Sequence, residues 1–170
     1  MGLASLVSLN FQGSQDSTLD LGKAAFTVNK TYSVSFQNGT AAGQANKLFA
    51  DTRTIAASSN DDLDLNGLLT DAFGGTLSLL RVKALIVAAA AGNTNDVVVG
   101  GAASNGWITP FGSSTDKVKI KPGAVMALFA GLADATAWTV TAATGDVLRI
   151  ANGGAGTPVT YDIVIIGADA

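Results

Sequence analysis

The segment Tyr32-Ser33-Val34-Ser35-Phe36-Gln37 alternates large apolar and polar residues, and Val7-Ser8-Leu9-Asn10-Phe11 does the same. A period of two is that of a strand with one face in a core, because successive side chains leave a strand on opposite sides. The two segments therefore predict a pair of early strands. The stretch that follows, residues 37–46, is small and polar and contains Asn38-Gly39, a dipeptide that favours positive φ, so it reads as a turn or linker. A boundary is expected near residue 50, with 1–50 as an N-terminal arm or β-hairpin extension and 51–170 as the main domain.

Beyond that boundary, strand candidates recur at 52–57, 63–65, 77–89, 96–99, 117–121, 125–130, 137–141, 147–150 and 159–166. Turn signals such as Ala91-Gly92-Asn93, Pro122-Gly123 and Asn152-Gly153-Gly154 separate nearly all of them. Short strands at this spacing, without helical periods between them, predict an all-β protein, a β-sandwich or jelly roll with an extended N-terminal strand segment. One short helix is expected at 66–73, where Leu68, Leu69 and Phe73 share a helical face before Gly74-Gly75. The four alanines Ala88 to Ala91 favour a helix by propensity, but Leu85-Ile86-Val87 before them is β-rich, and the strand is preferred.

The chain has 170 residues, 48% of them hydrophobic and 14% charged, with 20 glycines and 3 prolines. A domain of this length buries roughly 70% of its unfolded surface and needs no disulfide or metal to hold a core. Cysteine and histidine are absent, and all 13 acidic residues are aspartate. Ser-His-Asp and Cys-His catalysis, thiolate redox chemistry and zinc fingers all lack their side chains. A net charge of −3 argues against nucleic acid as a partner, since phosphate neutralisation needs a surplus of Lys and Arg. The longest apolar run, 84–91, is far short of the ~20 residues that cross a bilayer, and no signal-peptide pattern opens the chain. A soluble protein without a membrane partner is expected.

Asp62-Leu63-Asp64-Leu65-Asn66-Gly67 reproduces the opening of a calcium loop, yet Phe73 stands at the twelfth position, where a bidentate Glu is required. A strand followed by an Asn-Gly turn accounts for it with no metal; calcium on Asp62, Asp64 and Asn66 stays the alternative, and no cofactor is expected. The other aspartates sit mostly beside Gly, Asn, Ser or Thr, where Asp serves turns and caps. Lys117-Val118-Lys119-Ile120-Lys121 projects three ammonium groups from one strand face. It reads as an edge strand guarded by lysines, or as a docking stripe for an acidic partner. Trp107 and Phe111, in a loop with Gly and Pro, are the other candidate partner contacts. Val7, Leu9 and Phe11 are the candidate oligomerisation residues, because the chain is apolar for a monomer of its size.

With its Ala/Gly/Thr-rich β composition, Phe49-Ala50-Asp51-Thr52-Arg53-Thr54-Ile55-Ala56, the Asp62 to Gly67 motif, and the closing Val159-Thr160-Tyr161-Asp162-Ile163-Val164-Ile165-Ile166-Gly167, the chain resembles the small structural proteins that tailed bacteriophages encode among their virion-assembly genes. The resemblance covers about residues 49–170. It implies a non-enzymatic capsid decoration or cement protein, made in the host cytoplasm and carried on the virion. Such a protein is a homo-oligomer, often a trimer, seated on the major capsid protein, and its N-terminal segment often lies along the capsid or a neighbouring copy. A tail, spike or fibre component with a carbohydrate- or receptor-binding β-sandwich is the alternative. Such a module usually displays several aromatics for stacking on sugars, and besides phenylalanines only Trp107, Trp138, Tyr32 and Tyr161 are available. A hydrolase built on aspartates alone ranks third.

Overall fold

The alternation near the N-terminus extends into one long antiparallel ladder. The computed structural model describes residues 2–170, and in it β1 (Ser5–Leu19) pairs with β2 (Gly22–Asn38) over their whole length, from Ser5 opposite Phe36 to Leu19 opposite Gly22. Asp20 and Leu21 alone form the connection. Fifteen residues at ~3.4 Å each make this hairpin about 50 Å long.

The rest of the chain forms β3 (Gln44–Ala45), β4 (Lys47–Ile55), β5 (Asn60–Asp64), β6 (Asn66–Thr70), β7 (Thr76–Ser78), β8 (Arg81–Ala89), β9 (Val97–Gly100), β10 (Lys117–Ile120), β11 (Val125–Phe129), β12 (Trp138–Thr139), β13 (Val147–Asn152) and β14 (Val159–Ala168). One sheet runs β11-β8-β14-β4, with β12 also on β8; a second runs β10-β9-β13-β5. Both are antiparallel throughout. The fold is all-β.

The sheets share one core. Leu85 and Val87 of β8 and Tyr161, Ile163 and Ile165 of β14 pack with Val97 and Val99 of β9, Leu148 and Ile150 of β13, and Leu63 of β5. Alternate residues of β14 are directed inward, while Val164 and Ile166 face outward. On that outer face Ala84 and Ile166 receive Val7, Val34 and Phe36 from the hairpin's open end, together with Ala45. The hairpin is thus rooted on the back of the first sheet, and the short parallel pairing of Gln44-Ala45 with Gln37-Asn38 fixes its exit.

Two expectations change. Residues 66–73 are not a helix: β6 pairs with β7, and the turn between them is held by Asp71, whose Oδ1 accepts the amides of Phe73 and Gly75. Leu69 is buried while Leu68 and Phe73 are exposed, so the supposed helical face is split by strand alternation. The expected strand 77–89 is two strands, because Leu79 N–H turns to Leu65 O and Leu80 N–H to Ala168 O. β4 starts at Lys47 and pairs with β14 from there to Ile55, so the strand runs across residue 50.

Candidate functional site

Residues directly opposite in an antiparallel ladder share a face. One face of the hairpin therefore carries Val7, Leu9, Phe11, Gly13, Gln15, Ser17 and Leu19 against Val34, Tyr32, Lys30, Val28, Phe26, Ala24 and Gly22. The other is polar beyond Leu6, with Ser8, Asn10, Gln12, Ser14 and Asp16 against Ser33, Thr31, Asn29, Thr27 and Ala25. On it Thr31 Oγ1 donates to Asn10 Oδ1, and Lys23 pairs with Asp16. The ribbon is amphipathic, but only its root is covered. Leu9, Phe11, Leu19, Phe26 and Tyr32 are each more than half exposed, and Leu21 at the turn is wholly exposed.

The three expected oligomerisation residues therefore divide. Val7 is an internal anchor, 6% exposed against Val34 and Phe36, whereas Leu9 and Phe11 stand on the open stripe. Phe26 also belongs to the stripe, which the local reading of 7–11 missed. Its signal is the same alternation continued backwards from Phe36, through Val34, Tyr32, Val28 and Phe26 with Lys30 interrupting it. Phe11 folds along its own strand, so that a Cβ added at Gly13 would lie 3.0 Å from Phe11 Cζ. A glycine there gives the ring a flat backbone to lie on.

Trp107 is corrected from contact residue to core residue. It is 2% exposed and its Nε1 donates to Thr139 O at 2.8 Å, so its side chain has almost no surface to offer a partner. Phe111 is half-buried beside Gly100, packed against the same core. Lys117 and Lys119 project from the outer face of β10, which is the edge of its sheet, opposite Gly100 and Val98. Lys121 lies past the strand end, and its Nζ meets Asp96 Oδ2 at 2.8 Å. Lys117 and Lys119 remain as a pair of exposed edge cations.

The aspartates of the calcium-like motif have partners within the fold. Asp62 accepts two hydrogen bonds from Arg149, directly opposite on β13, at 2.7 Å each, and this guanidinium holds its carboxyl below the usual range. Asp64 Oδ1 accepts Asn66 N–H, and Asn66 Nδ2 donates to Leu79 O. Among the described residues no group of three or more His, Cys, Asp or Glu comes together to hold a metal ion.

Two further polar sites serve structure. Asp61 is directed inward, where it accepts Tyr161 Oη at 2.8 Å and Arg53 Nε at 2.5 Å. Burial, reinforced by the Asp61 carboxylate, pushes the Tyr161 hydroxyl far above the ordinary phenol range. A cleft of about 380 Å³ beside Arg53, lined also by Asp51, Thr54 and Asp61, has its charged groups committed to one another. Lys83 is fully buried and its Nζ donates to the carbonyls of Asp134 and Ala135, which ties the 131–137 loop to β8.

Beyond its root the apolar ribbon face has no internal partner, and a separate groove of about 360 Å³ lies near the base of the hairpin between Leu3, Asn38, Leu48 and Phe73. Comparison with protein-family models, with curated proteins and with solved structures finds no match to this chain.

Proposed function

We propose that the protein is a non-enzymatic virion structural component, a decoration protein that binds the major capsid protein of a bacteriophage head and stabilises it. The observation that supports this most is the projecting hairpin. An isolated two-stranded ribbon is at best marginally stable in water, and this one presents on the order of 700 Å² of apolar side chain. A surface of that size is built to be covered, and assembly is the function that covers it. The compact sandwich supplies a rigid root for the hairpin, and its carboxylates are spent on ion pairs and turns. Lys117 and Lys119 steer approach to acidic capsid patches, and repetition over the shell makes modest affinity per copy strong.

The test compares heads with and without the protein under heat or osmotic stress. Undecorated heads should rupture at lower temperature or milder osmotic shock, and adding the purified protein back should restore the threshold. Equal thresholds would remove the cement role and favour the tail or receptor-binding alternative.

A further inference from the structure

We propose that the apolar face of the hairpin is covered by the hairpin of a second copy of this chain, the two ribbons packed face to face and antiparallel about a two-fold axis near Phe26. The stripe formed by Leu9, Phe11, Leu19, Phe26 and Tyr32 exposes on the order of 600 Å², most of the roughly 800 Å² per partner of a stable protein interface. An isologous contact buries the same patch on both partners, so one surface suffices.

Charge selects the direction. Lys30, opposite Phe11, is the only charged residue on the apolar face, and Asp20 sits in the turn just beyond the Leu19–Gly22 rung. Among the described residues neither belongs to a salt bridge within the chain. They are separated by nine rungs, roughly 30 Å along the ribbon. In an antiparallel pair centred midway, at the Gln15–Phe26 rung, Lys30 of each copy meets Asp20 of the other, and Phe26 packs beside its symmetry mate. Leu19 then covers Phe11. Parallel packing of two or three copies would instead gather the Lys30 ammoniums inside an apolar seam and the Asp20 carboxylates at the tip, both unfavourable. The pairing thus differs from the three-fold arrangement that the phage resemblance implies. It rests on the hairpin alone and holds whether or not a capsid is the partner.

The test is sedimentation of the full-length protein over a range of concentrations at low salt, with tryptophan near-ultraviolet dichroism confirming that the sandwich is folded. Wild type should form a dimer, and Phe26→Ser should raise its dissociation constant at least tenfold. Lys30→Asp and Asp20→Lys should each weaken the dimer several-fold, because each sets like charges against each other, and the double reversal should restore it. A monomer at every concentration would overturn the proposal, including one that binds only undecorated heads or lipid vesicles through this face. So would a dimer in which the double reversal is no tighter than either single variant, or a discrete trimer.

Discussion

Arg53 Nε lies 2.5 Å from Asp61 Oδ2, and this contact joins the edge strand of one sheet to the edge strand of the other. Tyr161 adds its hydroxyl to the same carboxylate from the neighbouring strand β14. The open side of the sandwich is therefore closed by polar groups, whereas its centre is closed by apolar ones. Asp61→Asn should cost about 1.5–3 kcal/mol in urea unfolding, the range for hydrogen bonds to charged groups. Tyr161→Phe should cost about 0.5–1.5 kcal/mol.

The Tyr161 hydroxyl also predicts a pH dependence. An unfolded tyrosine ionises near pH ~10, while the folded one is held protonated by burial and by Asp61. Its contribution is complete below pH ~10 and is lost as the pH rises further, because only the unfolded chain then releases the proton. The stability difference between wild type and Tyr161→Phe should shrink in that alkaline window. A difference that stays constant up to pH ~11 would contradict the assignment.

Asp62 and Arg149 carry the acid counterpart on the outer face of the second sheet. The folded Asp62 carboxyl is held below its usual range, chiefly by the hydrogen bonds from Arg149, so the pair stabilises above pH ~4 and the contribution fades as pH falls lower. Arg149→Met should lose about 0.5–1 kcal/mol at pH 7, and less at pH 3, because the pair is partly exposed. Because Asp62, Asp64 and Asn66 already have partners, excess calcium should leave the melting temperature where chelator leaves it. A rise of several degrees would make these residues ligands.

Trp107→Ala should destabilise by about 3–5 kcal/mol, as expected for an emptied core aromatic, and leave binding per folded molecule unchanged. Chemical unfolding beside head binding at low temperature separates the two effects. By contrast, replacing Lys117 and Lys119 with serine should leave stability within about 0.5 kcal/mol while slowing binding to undecorated heads and flattening its salt dependence.

Much of the architecture was legible from alternation. Tyr32, Val34 and Phe36 marked β2, and the Val159 to Ile166 run marked β14, because a strand with one buried face writes its period into the sequence. The middle of the hairpin was harder to read, since Gln12 to Ala25 faces solvent on both sides and has no core to pattern it. Its turn, Asp20-Leu21, lacks the Asn-Gly signal; that dipeptide stands at the end of β2 instead, at Asn38-Gly39. Residues 66–73 misled for a related reason: Leu69 and Phe73, four apart, fit a helix, but Asp71 builds a turn that only the pairing of β6 with β7 makes useful. At the candidate site, Leu9 and Phe11 were visible as alternating apolar residues, while their exposure, and the place of Phe26 and Lys30 beside them, came only from the register. Trp107 looked like a loop aromatic because the Gly and Pro around it conceal that Thr139 O draws its indole inward.

If, as we propose, this chain is an assembly protein, its projecting hairpin face is buried in the assembled particle. Electron microscopy of intact virions at side-chain resolution tests it most directly. Density for the sandwich is expected on the outside of the head, with Leu9, Phe11, Phe26 and Tyr32 of each copy covered by protein. Density confined to the tail, or a head-bound copy whose hairpin face is open to solvent, would contradict it.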